Sequence, residues 1–462
     1  MVLKIAVTEV KHNFKQYILA GFFMLTTFRP GLMAQQSQVD LPDSVSVDEC
    51  IKYAMQNQPL VKQLKIDERI AVQNIRIAVS DWLPQVNATA GLQHYLKQPV
   101  LLFPDITNPT GPKILIPSGV LYNSSVQFTA TQNIFNSDVY FAGRTAGDYK
   151  LQSRQTTRSV LIDMVVGINK AFYDVLLTQE QLSIINEEIG RLAKSLKDAY
   201  ALYQNGTSDM IDYKRATIAL NNALSKKKSA EESVKAKLSA LKQLMGYPEA
   251  KPLKLNARLS TIENNILMDT TQSVRPSNRI EYQLLQTNLK LQKARTDYYK
   301  LGFLPSLSAF VNYNLIYQND HSGDLFKQSY PNSTIGLSLS FPILQGTKRI
   351  QNIKKSNLQY QRLVLDTLNF RNEVNTQFTT AMSSYKSDLE AFNLTSRNIE
   401  IANDVYNTVK LQYNQGIKTY LEVIVSETDL MSARINHLNA LFMLMFSKLD
   451  LERATGNISV DY

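Results

Sequence analysis

Thr334-Ile-Gly-Leu-Ser-Leu-Ser-Phe341 sets an apolar side chain at every second position, Ile335, Leu337, Leu339 and Phe341, with Thr334, Gly336, Ser338 and Ser340 between them. Successive side chains of a strand point to opposite faces, so this period of two describes one apolar face and one polar, uncharged face. Working outward, Leu307, Ala309, Val311, Tyr313, Leu315 and Tyr317 repeat the pattern, with Ser306, Ser308, Asn312 and Asn314 among the intervening positions. In the first half of the chain Tyr122, Val126, Phe128, Ala130 and Ile134 alternate with Asn123, Ser125, Gln127, Thr129, Thr131 and Asn133, and residues 87–96 carry a weaker version. A soluble sandwich strand shows the same alternation. These runs, however, are about 10 residues long, almost free of charge, and end in aromatics, as strands of outer-membrane barrels do.

The chain is also written twice. Trp82-Leu83-Pro84 before the first strand recurs as Phe303-Leu304-Pro305, and Tyr203-Gln-Asn-Gly206 recurs as Tyr413-Asn-Gln-Gly416. Such self-similarity sets the architecture before any local assignment. Between the anchors the first copy is longer, chiefly in the proline-rich segment Leu96 to Gly119, which reads as a loop. The rest reads as helix. From Ser137 to Gln204 there is no proline, and Val160, Met164, Val165, Ile168, Phe172, Val175 and Leu176 recur at helical spacing, a length of about 100 Å at ~1.5 Å per residue. A turn at Asn205-Gly206 reverses it into a helix ending near Gly246, and a second hairpin covers residues 347–456 with its turn at Gln415-Gly416. A shorter helix opens each half, and Ser46-Val-Asp-Glu49 is a capping box for the first.

The expected order is a signal peptide over residues 1–34, a first repeat over 35–246 (strands near 87–96 and 121–135, hairpin 137–246) and a linker over 247–275. A second repeat over 276–456 follows (strands near 306–317 and 332–342, hairpin 347–456), with a tail over 457–462. The signal rests on Lys11 and Lys15 before an apolar run from Tyr17 to Phe28, with cleavage expected after Ala34. That run falls short of the about 20 residues a spanning helix needs, and no later stretch reaches it. Entry into a membrane must therefore use strands. Lipid-exposed backbone has to be fully paired, and the smallest closed barrels have about 8 strands. Four strands cannot close alone, so the barrel must be shared: a dimer supplies eight strands, a trimer twelve. The hairpins would continue its wall as a hollow helical cylinder.

Composition removes other classes. The 462 residues include only 17 Gly, 15 Pro, 4 His and 1 Cys, too few metal ligands at suitable spacing for a zinc site and no disulfide framework. The formal charge of +10 is spread along the chain rather than gathered into an arm, which argues against nucleic acid. No phosphate-binding G-x-x-x-x-G-K-[ST] loop exists to supply energy. No nucleophile or metal motif accompanies the scattered histidines, so neither enzymatic activity nor a cofactor is expected. A structural or adhesive helical envelope protein without channel activity remains the alternative; it would need sustained heptads and no lipid-facing strands.

Leu83-Pro84 and Leu304-Pro305 leading into strands, Phe341-Pro342-Ile-Leu-Gln-Gly346 leading out, Val45-Ser-Val-Asp-Glu-Cys-Ile-Lys-Tyr-Ala54, and above all Leu411-Gln-Tyr-Asn-Gln-Gly-Ile-Lys-Thr-Tyr-Leu-Glu-Val423 resemble the TolC-like outer-membrane channels of efflux pumps and type I secretion systems. The resemblance spans about residues 41–456. It implies a mainly α chain with a membrane β-barrel: a homotrimer with a 12-stranded barrel in outer-membrane lipid, continued by a periplasmic α-helical barrel whose tip closes at rest. It also implies a periplasmic adaptor protein and an inner-membrane RND or ABC pump as partners.

By the same resemblance Asp212, Tyr413 and Lys418 match gate residues that bond across neighbouring helices, and Glu422 matches an acid ringing the pore constriction. A second acid of that ring is replaced by Val425, and the hydroxyl partner of the Lys418 position by Ile211. Gly206, Thr207, Gly416 and Ile417 match the turns where adaptor hairpins dock. Each has a plainer reading: Asp212 as a first-turn helix acid, Tyr413 as a packing aromatic, Glu422 as a solvated helix face, and the glycines as helix ends with positive φ.

Overall fold

The computed structural model describes residues 44–104, 110–256, 266–271 and 273–461, all within one unit, Asp43–Tyr462. The expected signal peptide and part of the linker lie outside the described residues. In chain order the elements are α1 (Val47–Asn57), α2 (Pro59–Ser80), β1 (Gln85–His94), β2 (Val100–Phe103), β3 (Ile114–Pro117), β4 (Tyr122–Phe135), α3 (Ser137–Gln204) and α4 (Met210–Met245). There follow α5 (Ile280–Leu301), β5 (Ser306–Asn319), β6 (Ser329–Ser340), α6 (Lys348–Asn414) and α7 (Tyr420–Thr455).

The sheet is antiparallel, in the order β1-β4-β5-β6, and it is open. Its register sorts the alternating residues into two faces. Val86, Ala88 and Ala90 lie opposite Ala130, Phe128 and Val126, which in turn lie opposite Val311, Tyr313 and Leu315; Leu307, Ala309 and Val311 meet Leu339, Leu337 and Ile335. On the other face Asn87 and Thr89 meet Thr129 and Gln127, then Asn312 and Asn314, then Thr334 and Asn332. There Asn314 Nδ2 donates to Asn332 Oδ1 at 2.7 Å. None of the residues in these strands is Asp, Glu, Lys or Arg. Gly336 leaves room for the Phe310 ring, which a Cβ would approach to 2.7 Å.

The proline-rich segment expected as a loop instead contains a two-stranded ribbon, β2 paired with β3, whose eight residues are all exposed. Four of its five prolines, Pro99, Pro104, Pro112 and Pro117, frame the runs Val100–Phe103 and Ile114–Ile116 rather than interrupting them, so the ladder survives. Asp320 pins its root by accepting from the Leu121 N–H at 3.0 Å. The single short helix expected before β1 is two helices, because Pro59 at the first position of α2 forbids continuation from α1. Ser46 and Glu49 form the capping box of α1.

Two long antiparallel hairpins, α3 with α4 and α6 with α7, descend from the sheet; α3 has 68 residues and α6 has 67. At mid-length they are held by an apolar core in which Ile51 of α1, Ile168 and Phe172 of α3, Leu241 and Met245 of α4, and Leu441, Phe442 and Leu444 of α7 are almost wholly buried. Tyr385 of α6, fully buried, donates to the Ile266 carbonyl at 3.0 Å and accepts from the Met268 N–H at 2.8 Å, tying the linker to this belt.

Both return helices end on a left-handed glycine packed against the opening of a half. Gly246 (φ 68°) meets the Gln58 backbone, where a Cβ would come within 2.9 Å of its Cα, and Gln58 Nε2 donates to the last carbonyls of α4, those of Gln243 and Leu244. Gly456 (φ 80°) meets the Asn278 carbonyl at 3.0 Å in the same sense. A side chain costs about 1–2 kcal/mol at such a φ even without the clash. Gly246→Ala and Gly456→Ala should each lower stability by at least ~1 kcal/mol, and Gly167→Ala, inside α3 with open space at its Cβ, should be neutral or stabilising; thermal unfolding followed at 222 nm checks the contrast.

Candidate functional site at the hairpin tips

The two turns share one geometry. Gly206 (φ 74°) and Gly416 (φ 75°) end α3 and α6 in the left-handed region. The next N–H returns to the helix, Thr207 to the Leu202 carbonyl at 3.0 Å and Ile417 to the Gln412 carbonyl at 2.9 Å. This pairing satisfies carbonyls that a helix end leaves orphaned. The Thr207 hydroxyl adds a second bond to Leu202, at 2.9 Å. Asp209 then caps α4 and Thr419 caps α7. All four turn residues singled out in the sequence are exposed, Ile417 at 67 %, so the apolar Ile417 stands unsupported at the tip.

Just above the turns the hairpins touch through a small cluster: Ala199 of α3, Ala216 of α4 and Tyr420 of α7 are buried, with Leu196, Tyr213, Tyr413 and Ile424 packed on them. Two alanines let the helices approach, and Tyr420 fills the space against the Tyr413 ring, with centroids 5.8 Å apart. Tyr413 thus packs, half-buried, on this cluster. Burial, then the Asp212 and Asp198 charges, raise its phenol above the usual range. Asp212 stands within electrostatic reach of Tyr413 but takes its hydrogen bond from the Ser208 hydroxyl, at 2.8 Å. Tyr420, Ala199, Ala216 and Ser208 escaped the sequence reading, because small residues and a tyrosine directly after a cap carry no periodic signal.

Lys418 and Glu422, assigned separate roles from the sequence, meet each other: Lys418 Nζ donates to Glu422 Oε1 at 2.6 Å, one turn away. The other carboxylate oxygen accepts from the Thr419 N–H at 2.9 Å and its hydroxyl at 3.0 Å, completing a capping box. These bonds, Lys418 first, hold the Glu422 carboxyl down to about 2. Val425, at the position the resemblance gives to a second acid, is 51 % exposed. A carboxyl with a lowered folded-state pKa stabilises above its ordinary value and loses that contribution as pH falls. Relative to an unstructured peptide at the same pH, amide protection at Thr419 to Val423 should therefore be high above about pH 4.5 and fall between there and about pH 2, and Glu422→Ala should show the low protection at neutral pH; exchange followed by mass spectrometry reads both.

Among the described residues no helix is long and apolar enough to cross a membrane, and no group of His, Cys, Asp and Glu could hold a metal ion. The chain is 21% identical over 437 residues to the outer membrane protein TolC of Vibrio cholerae, covering 89% of this chain and 90% of that protein. It is 20% identical over 443 residues to TolC of Escherichia coli, covering 91% and 84%. Its fold matches the solved structure of CusC with a TM-score of 0.73 at 16% identity, over 93% of this chain and 98% of that one. The family described as Outer membrane efflux protein matches residues 50–247 and 280–457. Sheet, paired hairpins and sequence thus agree, and the chain belongs to the outer membrane efflux protein family.

Proposed function

We propose that three copies of this chain close a 12-stranded barrel in the outer membrane and form the passive exit duct of a tripartite efflux or type I secretion system, gated at the hairpin tips. The observation that carries this reading is the four-stranded sheet with one continuous apolar face, one uncharged polar face and unpaired edges at β1 and β6. In lipid those edges have to pair, and β6 of one copy against β1 of the next is a head-to-tail contact that repeats into a ring. The helices joined to those edges support the same contact. Ile66, Ile70 and Ile77 of α2, and Leu358 and Leu365 of α6, are at least half exposed, leaving apolar stripes at helical spacing without a partner in the protomer.

At the tip, Asp212, Tyr413 and Lys418 form the resting gate in this reading, and Glu422 lines the constriction. Asp212 already lies near the Tyr413 phenol, and Lys418 would exchange Glu422 for a carboxylate on a neighbouring helix. Charge-assisted bonds of this kind suit a reversible latch, since each contributes only about 1.5–3 kcal/mol and a partner's binding energy can replace it. The exposed turns at Gly206, Thr207, Gly416 and Ile417 are the docking points for a periplasmic adaptor that links the duct to an inner-membrane RND or ABC pump.

The mature protein should migrate as a trimer on unheated gels and give discrete channels in planar bilayers; a non-conducting monomer would sink the proposal. Asp212→Ala combined with Tyr413→Phe should raise single-channel conductance severalfold, and an unchanged conductance would remove both residues from the gate.

A further inference from the structure

The two hairpins of one protomer meet along α3 and α7, and polar bridges recur down that seam. Asp163 pairs with Arg453, Lys170 with Asp450 at 2.6 Å, Gln181 with Asn439 at 2.9 Å and Glu187 with Arg434 at 2.9 Å. The bridge nearest the tips is of another kind, because it is buried. Glu427 of α7, 1 % exposed, accepts from Arg191 Nε at 3.1 Å, while Arg191 Nη2 donates to Glu188 Oε2 at 2.6 Å and Glu188 is 3 % exposed. The two buried carboxylates share a guanidinium that is itself 23 % exposed and lies 3.9 Å from the exposed Glu187, and when both are ionised they outnumber it by one charge. Removing a partner from such a cluster is costly, since a buried charge is then left uncompensated.

Glu188 and Glu427 each stand on a buried stripe, between Ile185 and Leu192 on α3 and between Val423 and Leu430 on α7. Arg191 lies about 20 Å along α3 from the Gly206 turn, at ~1.5 Å per residue. Between it and the turns the hairpins meet through the small Ala199, Ala216 and Tyr420 cluster. Several further charged or titratable groups face Glu427 and Glu188. They are Glu187 on α3, Arg434 and Tyr420 on α7, Lys410 on α6, whose charge reaches Glu427, and Arg215 and Lys226 on α4 across the groove beside Glu188.

We propose that Glu188, Arg191 and Glu427 form the cross-brace that decides how easily the tips part, holding the α6 and α7 hairpin against the α3 and α4 hairpin, with a proton on Glu427 tightening the hold. These are positioning residues, and the inference rests on the reading of the tips as a gate. Opening admits water to the cluster. When Glu427 is ionised that hydration relieves the surplus charge and favours opening, and when it is protonated there is little to relieve. Burial, then the Glu188 charge, push the Glu427 carboxyl up to about 7 against the opposing pull of Arg191. A carboxyl with a raised folded-state pKa contributes its stability at low pH and loses it as pH rises through that value, so the brace weakens across neutrality.

The test uses the full trimer in planar bilayers at pH 6 and pH 8. Wild-type open probability should rise about fivefold or more from pH 6 to pH 8. Glu427→Gln, equal in shape and always neutral, should keep the low value at pH 8. Arg191→Met, which removes the pull that opposes protonation of Glu427, should shift the rise in open probability to higher pH. A Glu427→Gln channel with the wild-type pH profile overturns the brace, and because that variant preserves the packing it decides the matter even if Arg191→Met fails to assemble. Failure of the gate residues is a separate result: Asp212→Ala with Tyr413→Phe would stay closed while Glu427→Gln still flattened the profile. A wild type that forms no channel overturns both.

Discussion

A sheet that meets lipid can leave no backbone N–H or C=O unpaired, and the main sheet of this protomer has four strands and two open edges. Much of the molecule is arranged around that deficit. β1 and β6, the edges, are the strands joined to α2 and α6, and these helices carry exposed apolar stripes where a soluble protein would carry charge. The strands have no ionised side chain on either face, so the apolar face suits hydrocarbon and the Asn, Gln, Ser and Thr face suits water. Neither face offers a core of its own, and the protomer's folding energy must come from elsewhere.

It comes from the hairpins. Helices of 68 and 67 residues cannot gather around one compact core, and their amphipathic faces spread contact along their length instead. The belt around Phe172, Leu241, Met245 and Phe442 is the densest apolar packing, and the left-handed glycines at 246 and 456 let the opening segments of each half close over it. Along the α3 and α7 seam, ion pairs and amide pairs flank the buried apolar residues, at the belt and beyond it. Exposed pairs of this type contribute little each, which suits two hairpins that hold a register and, in the proposed reading, separate at their tips.

Much of the local structure was legible before any coordinates. Alternation in Thr334 to Phe341 and Ser306 to Tyr317 describes two-faced strands, and a proline-free run from Ser137 to Gln204 describes one unbroken helix. The β2 and β3 ribbon was not legible, since five prolines over a short span look like a loop even though four of them bracket the apolar runs. The site was legible only in part. Gly206 and Gly416 announce their turns, but Lys418 and Glu422 were assigned apart and are joined by the i to i+4 geometry of one helical turn. Glu188 and Glu427 went unread although each interrupts an apolar stripe.

The sequence by itself determined the two long helices and their glycine turns, which strand face is apolar, and that these strands cannot close a barrel alone. Those are properties of neighbours in the chain, set by dihedral preference and side-chain period. Only the tertiary structure decided that α3 lies beside α7, that Arg191 reaches Glu427 across 236 positions, and that Tyr420 fills the gap between two alanines. Such contacts depend on the crossing of distant helices, and a pairwise contact between surfaces hundreds of residues apart leaves no periodic mark in a single chain.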